Sequence, residues 1–164
     1  MSQEKSPLTH LNQRGEAHMV DVGSKASTRR RAVAQAVLSG NPATIAAIMA
    51  DGLKKGDALA TARIAGIMGA KKTSELIPLC HPISLSHVEV NISQDGTDSI
   101  VIAATAETTG QTGVEMEALN AAATAALTLY DMAKAIDRAM VISDLCLMEK
   151  SGGKSGDFKR KNNE

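Results

Sequence analysis

The chain has 164 residues, of which 43% are apolar, and its 18 basic and 18 acidic residues give a formal net charge of zero. These values predict one globular domain with a single core, and they disfavour a general nucleic-acid or membrane-surface role. Tyr130 and Phe158 are the only aromatic residues, so base stacking has almost no support. The two cysteines form no metal-binding pattern and no apolar run approaches the length of a membrane span, so we expect a cytoplasmic protein without a metal site.

The first half of the chain predicts strands followed by two helices. Apolar runs indicate the strands, and Asn41-Pro42 and Asp57 indicate the starts of the helices. The run 32–38 fits either a helix or a strand, and we favour a strand. In chain order, the predicted segments are a flexible start at 1–15, strands at 18–22 and 32–38, and helices at 43–50 and 58–72.

The second half predicts an irregular loop, a hairpin, a long helix and a last strand. Pro78 and Pro82 restrict the backbone around His81, and residues 94–98 have the composition of a hairpin turn. The predicted segments are hairpin strands at 87–92 and 99–103, a helix that begins near Thr112, a strand at 139–147, a loop after Ser151 and a flexible charged tail at 159–164. This order fits a ferredoxin-like α+β sandwich, with an antiparallel sheet and helices on one face, in a single catalytic domain spanning 16–158.

The long helix carries a stripe of charges on a largely apolar surface. Thr112 and Glu115 have the spacing of a capping box, which alone could explain Glu115. The charged residues that share one helical face are Glu117, Asp131, Lys134 and Arg138. Asp131 and Lys134 could form a simple ion pair, but for the whole stripe we favour function. Glu117 and Asp131 would lie about 21 Å apart, so a site composed of two subunits is a concrete hypothesis.

Basic clusters in this neutral chain indicate a polyanionic small ligand. The clusters are 29–31, 54–55, 71–72, Lys134 and 150–154. Lys54 and Lys55 precede a predicted helix N-terminus that already favours anions, although a solvated loop is the alternative. The glycine-rich segment around Lys154 lacks the upstream glycine and following helix of a phosphate loop, so we reject nucleotide binding by that mechanism. The segment could still close on phosphates.

Three ordered motifs relate the chain to a known family. They are Leu-Ile-Pro-Leu-Cys-His-Pro at 76–82, Thr-Gly-Val-Glu-Met-Glu-Ala-Leu at 112–119, and Lys-Ser-Gly-Gly-Lys-Ser-Gly-Asp at 150–157. With them, residues 8–158 resemble the cyclic pyranopterin monophosphate synthases, the molybdenum-cofactor biosynthesis C family. The resemblance implies a ferredoxin-like subunit in a hexamer, built as a trimer of dimers with active sites at a subunit interface. It also implies a phosphorus–oxygen lyase that takes ring-closed dihydro-GTP from a radical enzyme and forms cyclic pyranopterin monophosphate and diphosphate.

The resemblance also implies the site residues. Its catalytic positions match Lys55, Lys134, Asp131 and His81, and its substrate-binding positions match Glu115, Met116, Glu117, Lys25, Arg30, Lys71 and Lys150. We expect the lysines to transfer protons, the glutamates to bind the base, and the remaining cations to neutralise the triphosphate. No cofactor is required, and the resemblance leaves open whether Mg²⁺ accompanies the triphosphate. Gln111 replaces a basic residue common in the family, and Asn120 replaces a threonine.

The same basic clusters allow a second interpretation. A non-catalytic purine nucleotide-binding or sensor module would bind GTP tightly without forming a product. Such a module would need neither the two glutamates nor His81. A nucleic-acid-binding module is a third and disfavoured interpretation, because the chain is neutral and nearly lacks aromatic residues.

Overall fold

The computed structural model describes residues 11–12, 14–50 and 52–161. Most of the predicted flexible start at 1–15 and the last three residues of the predicted tail lie outside the described residues. The elements are β1 (Thr28–Ser39), α1 (Pro42–Met49), α2 (Ala58–Lys71), α3 (Thr73–Leu76), β2 (His87–Asp95), β3 (Ser99–Gly110), α4 (Glu115–Ala133), β4 (Val141–Ser151) and β5 (Phe158–Lys159). None of the helices in this described part of the chain has the length and hydropathy needed to cross a bilayer.

The five strands form one antiparallel sheet in the order β2-β3-β1-β4-β5. Helices α2 and α4 pack together, and α4 also covers β1 and β3. On β1 the buried side chains alternate, and they are Ala32, Ala34, Ala36 and Leu38. A helix would not bury every second residue, so the run 32–38 is a strand, as predicted. The predicted ferredoxin-like α+β fold is confirmed.

Two predicted segments need correction. Residues 18–22 contain no strand, although Val20 and Val22 are partly buried. An alternating pattern shows which side chains are covered, but it does not ensure that a neighbouring strand accepts the backbone hydrogen bonds. The predicted loop after Ser151 contains the short strand β5, and the Arg160 amide donates to the Met148 carbonyl at 2.7 Å. The short helix α3 was not predicted.

The N-terminus of α1 is held by a residue of the segment that follows α4. The side chain of Asn41 makes no capping hydrogen bond with any described residue. Instead, Oδ2 of Asp137 accepts a hydrogen bond from the Asn41 amide at 2.9 Å, and Oδ1 accepts one from the Ala139 amide at 3.0 Å. The bond from Asn41 is the main reason that the pKa of the Asp137 carboxyl is lowered. A distant carboxylate therefore fixes the residue that precedes α1, while the side-chain cap that the sequence predicts for Asn41 is not formed.

Helices α2 and α4 approach closely because α2 contains glycines where they meet. A Cβ added to Gly66 would lie 2.9 Å from the Ala121 carbonyl oxygen and 2.9 Å from Cγ2 of Val90. A Cβ added to Gly69 would lie 2.8 Å from Cβ of Thr124. Such distances are too short for carbon contacts, so these glycines set the separation of the helices.

Gly66→Ala is therefore expected to destabilise the protein by about 1–2 kcal/mol, although alanine gains about 1 kcal/mol over glycine in an exposed helix. Urea unfolding followed by circular dichroism measures the change. Arg63→Ala, at an exposed position of the same helix, is the matched control and should change stability by less than about 0.5 kcal/mol. If Gly66→Ala proved as stable as the native chain, the inference that Gly66 sets the separation of α2 and α4 would be contradicted.

Candidate active site

An open cavity of about 410 Å³ lies at the N-terminal end of α4. Five residues predicted for the site line it together: Lys25, His81, Glu115, Met116 and Glu117. The rest of its wall is largely apolar and is formed by Val20, Val22, Leu79, Ile83, Leu119 and Leu147, among others. A concave, mostly apolar wall with a few convergent polar groups is typical of a small-molecule site. We refer to this space as the carboxylate cavity.

The segments that form the carboxylate cavity come from distant parts of the chain. Residues 20–25 precede β1, and the loop with His81 connects α3 to β2. The Thr108 hydroxyl of β3 donates to the Ser84 carbonyl at 2.6 Å and fixes the end of that loop. The alternating pattern had assigned Val20 and Val22 to a strand. In the structure both side chains line the cavity instead. The apolar wall was missed because these residues carry no chemistry that marks them in the sequence.

The start of α4 differs from the predicted capping box. Val114 occupies the N-cap position, and no described side chain caps the helix there. Glu117, rather than Glu115, is therefore the third helical residue, and Thr112 lies two residues too early. The Glu115 carboxylate instead accepts a hydrogen bond from Lys150 Nζ at 2.9 Å. The negative charges of the two glutamates still interact favourably with the positive end of the helix dipole.

Glu117 is a buried carboxyl group, only 4% exposed, and it lines the carboxylate cavity. Among the described residues no cation lies within ion-pair distance of it. Burial without a counter-ion raises the pKa of Glu117 to about 7. The pKa of the neighbouring Cys80 thiol is raised too, first by burial and then by the charge of Glu117. A carboxyl that titrates near neutral pH in a cavity can both donate and accept a proton.

A second, smaller cavity of about 140 Å³ adjoins the first and is basic. Lys25 and Glu115 line both cavities, and Arg30, Arg31 and Lys150 line the second. The Arg30 guanidinium is held in place because it donates to the carbonyls of Gly110 at 2.9 Å and Gln111 at 3.2 Å. These cations beside a carboxylate cavity suit a ligand with a polar ring at one end and phosphates at the other.

A β-bulge places Lys150 at this site. Leu147 pairs with Ala34 and Lys150 pairs with Ala32, so both face the helix side of the sheet. Residues three apart on a regular strand face opposite sides, and the register shift that leaves Met148 unpaired corrects this. Without the bulge, Lys150 would point away from Glu115. Hydrophobic periodicity alone could not locate this irregularity.

A separate charged cluster lies at the other end of α4. Lys134 Nζ is 2.7 Å from Oδ1 of Asp131, and Lys55 Nζ is 3.1 Å from Oδ2 and 2.8 Å from the main-chain oxygen of the same residue. These bonds, first from Lys134 and then from Lys55, lower the pKa of the Asp131 carboxyl. The predicted ion pair of Asp131 and Lys134 is therefore present, and Lys55 joins it. We refer to these three residues as the lysine cluster.

The lysine cluster and the carboxylate cavity cannot share one small ligand within a single chain. Fourteen residues of α4 separate Glu117 from Asp131, which corresponds to about 21 Å. Lys71 is exposed at the end of α2 and lines neither cavity, and Arg138 follows the end of α4 rather than continuing its stripe. The catalytic roles of the lysine cluster and His81 remain predictions.

The two departures from the family pattern have structural roles. Gln111 Nε2 donates to the Gly23 carbonyl at 3.1 Å and ties the segment before β1 to the basic cavity. Asn120 Nδ2 donates to the Gly69 carbonyl at 2.7 Å and joins α4 to α2. Neither residue is a cation, so neither adds an electrostatic contact for an anion.

The fold is that of a ferredoxin-like α+β protein, and its two adjoining cavities form a candidate small-molecule site. The chain belongs to the MoaC family, whose model matches residues 19–153. It is 59% identical to the cyclic pyranopterin monophosphate synthase of Herpetosiphon aurantiacus, over 92% of this chain and 93% of the relative. It is 55% identical to the synthase of Parvibaculum lavamentivorans and 53% identical to that of Listeria monocytogenes, over 94% and 95% of this chain and 97% and 98% of those relatives. The resemblance inferred from the three motifs is confirmed.

Proposed function

We propose that the chain converts ring-closed dihydro-GTP to cyclic pyranopterin monophosphate and diphosphate. The observation that supports this most directly is its 53–59% identity, over nearly its whole length, to synthases of that name. The adjoining carboxylate and basic cavities have the charge distribution that such a substrate requires. The activity is that of a lyase, and it requires no resident cofactor.

In this proposal the purine-derived ring occupies the carboxylate cavity. Glu115 and Glu117 accept hydrogen bonds from its amino and N–H groups, and His81 positions or protonates the ring. Formation of the cyclic phosphate requires a sugar hydroxyl to bond to the α-phosphorus while the bond to the bridging oxygen breaks and diphosphate leaves. The hydroxyl proton must pass to a base, and Arg30 and Lys150 neutralise the charge on the departing group.

The Glu115–Lys150 ion pair couples binding of the phosphates to binding of the ring. Lys150 Nζ lies 2.9 Å from Glu115, and both side chains are partly exposed. A phosphate can replace Glu115 as the partner of Lys150, because both are anionic oxygen acceptors. The released carboxylate then becomes available to the ring. Binding of phosphate and of ring would therefore favour one another.

The lysine cluster enters the site from a second subunit in this proposal. Since about 21 Å of α4 separates the cluster from Glu117, an antiparallel neighbour would bring its own Lys55, Asp131 and Lys134 to the carboxylate cavity. A hexamer of three dimers satisfies this requirement. Lys71, at the exposed end of α2, would meet the triphosphate only in such an assembly.

Mixing two inactive variants tests the composite site. Lys134→Ala and Glu117→Gln subunits, unfolded together and refolded in equal amounts, should recover about one quarter of native activity, the random fraction of sites with both intact halves. Lys55→Ala mixed with Lys134→Ala is the matched control and should recover none, because both changes lie in the same half. Equal recovery in the two mixtures would contradict the composite site.

The activity itself is tested by incubating the full chain with ring-closed dihydro-GTP and measuring diphosphate and the fluorescence of the oxidised pterin. Diphosphate and pterin in equal amounts are expected, with or without a chelator. Tight binding without either product would instead favour the nucleotide sensor.

Because a polyanion does not cross a membrane unaided, the radical enzyme that makes the substrate must share the compartment of this protein, which we take to be the cytoplasm.

A further inference from the structure

Residues 18–25, which we call the covering segment, lie over the carboxylate cavity without belonging to a helix or strand. Val20 and Val22 of this segment are partly buried, and they line the cavity together with Glu117. Glu117 is only 4% exposed, and no described cation lies within ion-pair distance of it. Its burial therefore depends on apolar groups such as these valines, and the position of the covering segment affects how much water reaches the carboxyl.

One side-chain hydrogen bond holds the covering segment to the site. Gln111 Nε2 donates to the Gly23 carbonyl at 3.1 Å. Among the described residues, this is the only hydrogen bond between the covering segment and the chain from β1 onward. Two local bonds shape the turn that presents this carbonyl. The Gly23 amide donates to Oδ1 of Asp21 at 2.8 Å, and the Lys25 amide donates to the Val22 carbonyl at 3.0 Å.

The main chain of Gln111 is itself fixed by Arg30. The guanidinium donates to the carbonyls of Gln111 at 3.2 Å and of Gly110 at 2.9 Å. Gln111 lies between the end of β3 and the start of α4, and it lines the basic cavity. A residue that belongs to the wall of one cavity therefore holds the segment that covers the other.

We propose that Gln111 is a positioning residue, which holds the covering segment over Glu117 and keeps water away from that carboxyl during the reaction. The inference rests on the proposed function, in which Glu117 contacts the purine-derived ring. It also gives a role to a position that departs from the family pattern. The amide of Gln111 is neutral, so it acts through the covering segment rather than through charge in the basic cavity.

Opening of the covering segment and ionisation of Glu117 would favour one another, because a carboxylate is more stable in water than against an apolar wall. A more open segment should therefore lower the pKa of Glu117 from about 7 towards 4.5. Lys25 moves with the segment, but it is not at ion-pair distance of Glu117, so the entry of water is the larger effect. The titratable groups that line the cavity beside Glu117 are Lys25, Cys80, His81 and Glu115.

The reactivity of Cys80 measures the opening without any substrate. Its thiol lines the carboxylate cavity, and Cys146→Ser leaves it as the only thiol of the chain. In this parent chain, Gln111→Met keeps the length of the side chain but removes the donor. Modification by a bulky aromatic disulfide should become about 2- to 10-fold faster, the effect of one neutral hydrogen bond on an opening equilibrium. Gln111→Lys retains a nitrogen donor and should restore most of the parent rate.

Gln94→Met is the matched control. Gln94 also donates its side-chain amide to a glycine carbonyl, that of Gly96 at 2.9 Å, but it lies at the end of β2 and does not line the cavity. Its replacement should leave the thiol rate unchanged. In single-turnover assays, Gln111→Met should move the ionisation near pH 7 towards acid by up to about one pH unit, since a tenfold change in opening corresponds to that shift. The Gln94→Met profile should match that of the parent.

An unchanged thiol rate in Gln111→Met would overturn the inference, as would an equal increase in Gln94→Met or in Gln111→Lys. A faster thiol reaction with an unmoved rate profile would also overturn it, because the segment would then open without effect on the reaction. Failure of the proposed function gives a different result. A Gln111-dependent thiol rate in a chain without synthase activity would keep the contact and refute the synthase, whereas normal turnover with an unchanged thiol rate would do the reverse. Equal melting temperatures of the variants exclude a folding defect as the cause.

Discussion

Lys134→Ala is expected to lower the rate of the chemical step by about 10²- to 10⁴-fold, the usual contribution of a positioned acid or base. Lys134 Nζ lies 2.7 Å from Asp131, whose carboxylate also contacts Lys55 at 3.1 Å. Removing one ammonium group takes away a proton donor and also changes the position of the second lysine, so Lys55→Ala should show a similar loss. Single-turnover formation of pterin measures the step, and calorimetry with the substrate measures binding separately.

Arg138→Ala is the control for this first prediction. The sequence placed Arg138 on the same charged stripe, four residues beyond Lys134, but the structure places it after the end of α4. Its replacement removes one positive charge but leaves the ion pairs of Asp131 with Lys55 and Lys134 in place, so turnover should stay close to native. If Lys55→Ala and Lys134→Ala bound substrate normally and kept near-native turnover, these lysines would not be acid–base groups.

Elements with a complete local signal were predictable from the sequence. Asp57 has the composition and position of an N-cap, and its Oδ1 accepts a hydrogen bond from the Ala60 amide at 2.9 Å. The hairpin of β2 and β3 follows from two alternating runs and a turn that contains Gly96, whose φ is 63°. In each case the residues that decide the structure are close in sequence, so tertiary packing has little to override.

Features that depend on distant partners were not predictable. Thr112 and Glu115 have the capping spacing, but the helix begins two residues later than that spacing requires and Glu115 pairs with Lys150, which is 35 residues away. Asp137 binds the amide of Asn41, the residue before α1, across 96 residues. The bulge at Met148 is visible only once β4 is aligned with β1. In these places the structure is determined by contacts between distant residues, which a single sequence does not reveal.

The candidate site also has features that were predictable from the sequence and features that were not. The resemblance named five residues that line the carboxylate cavity, and the length of the helix alone gave the separation of about 21 Å that argues for a second subunit. The burial of Glu117 was not visible, since it depends on segments around Val22 and Cys80 folding over the start of α4. The sequence assigned Glu117 to ligand binding, whereas its pKa of about 7 also equips it to transfer protons.

Glu117→Gln is expected to make the protein more stable and less active. In the native chain the pKa of Glu117 is raised from 4.5 to about 7, because burial disfavours the charged form. As the pH rises from 4.5 to 7, the unfolded chain loses this proton first, so the free energy of unfolding falls through that range and is fully reduced above it. Glutamine cannot ionise. The variant should therefore be more stable than the native chain at pH 8 by on the order of 1–3 kcal/mol, with little difference at pH 4.

Urea unfolding at several pH values measures this difference, and Glu107→Gln is the matched control. The pKa of Glu107 is lowered, chiefly by its hydrogen bond with Arg29, so this group titrates below pH 5. Its replacement should therefore leave the slope of the unfolding free energy between pH 5 and 8 unchanged.

If Glu117 also transfers protons, Glu117→Gln should lower turnover about 10²-fold or more and remove the ionisation near pH 7 from the rate profile. Reduced activity with no gain in stability at pH 8 would mean that Glu117 is not buried as a lone carboxyl. A stability gain with native activity would limit Glu117 to ligand binding. Both changes together would identify a charge that the fold keeps at the expense of stability because the reaction uses it.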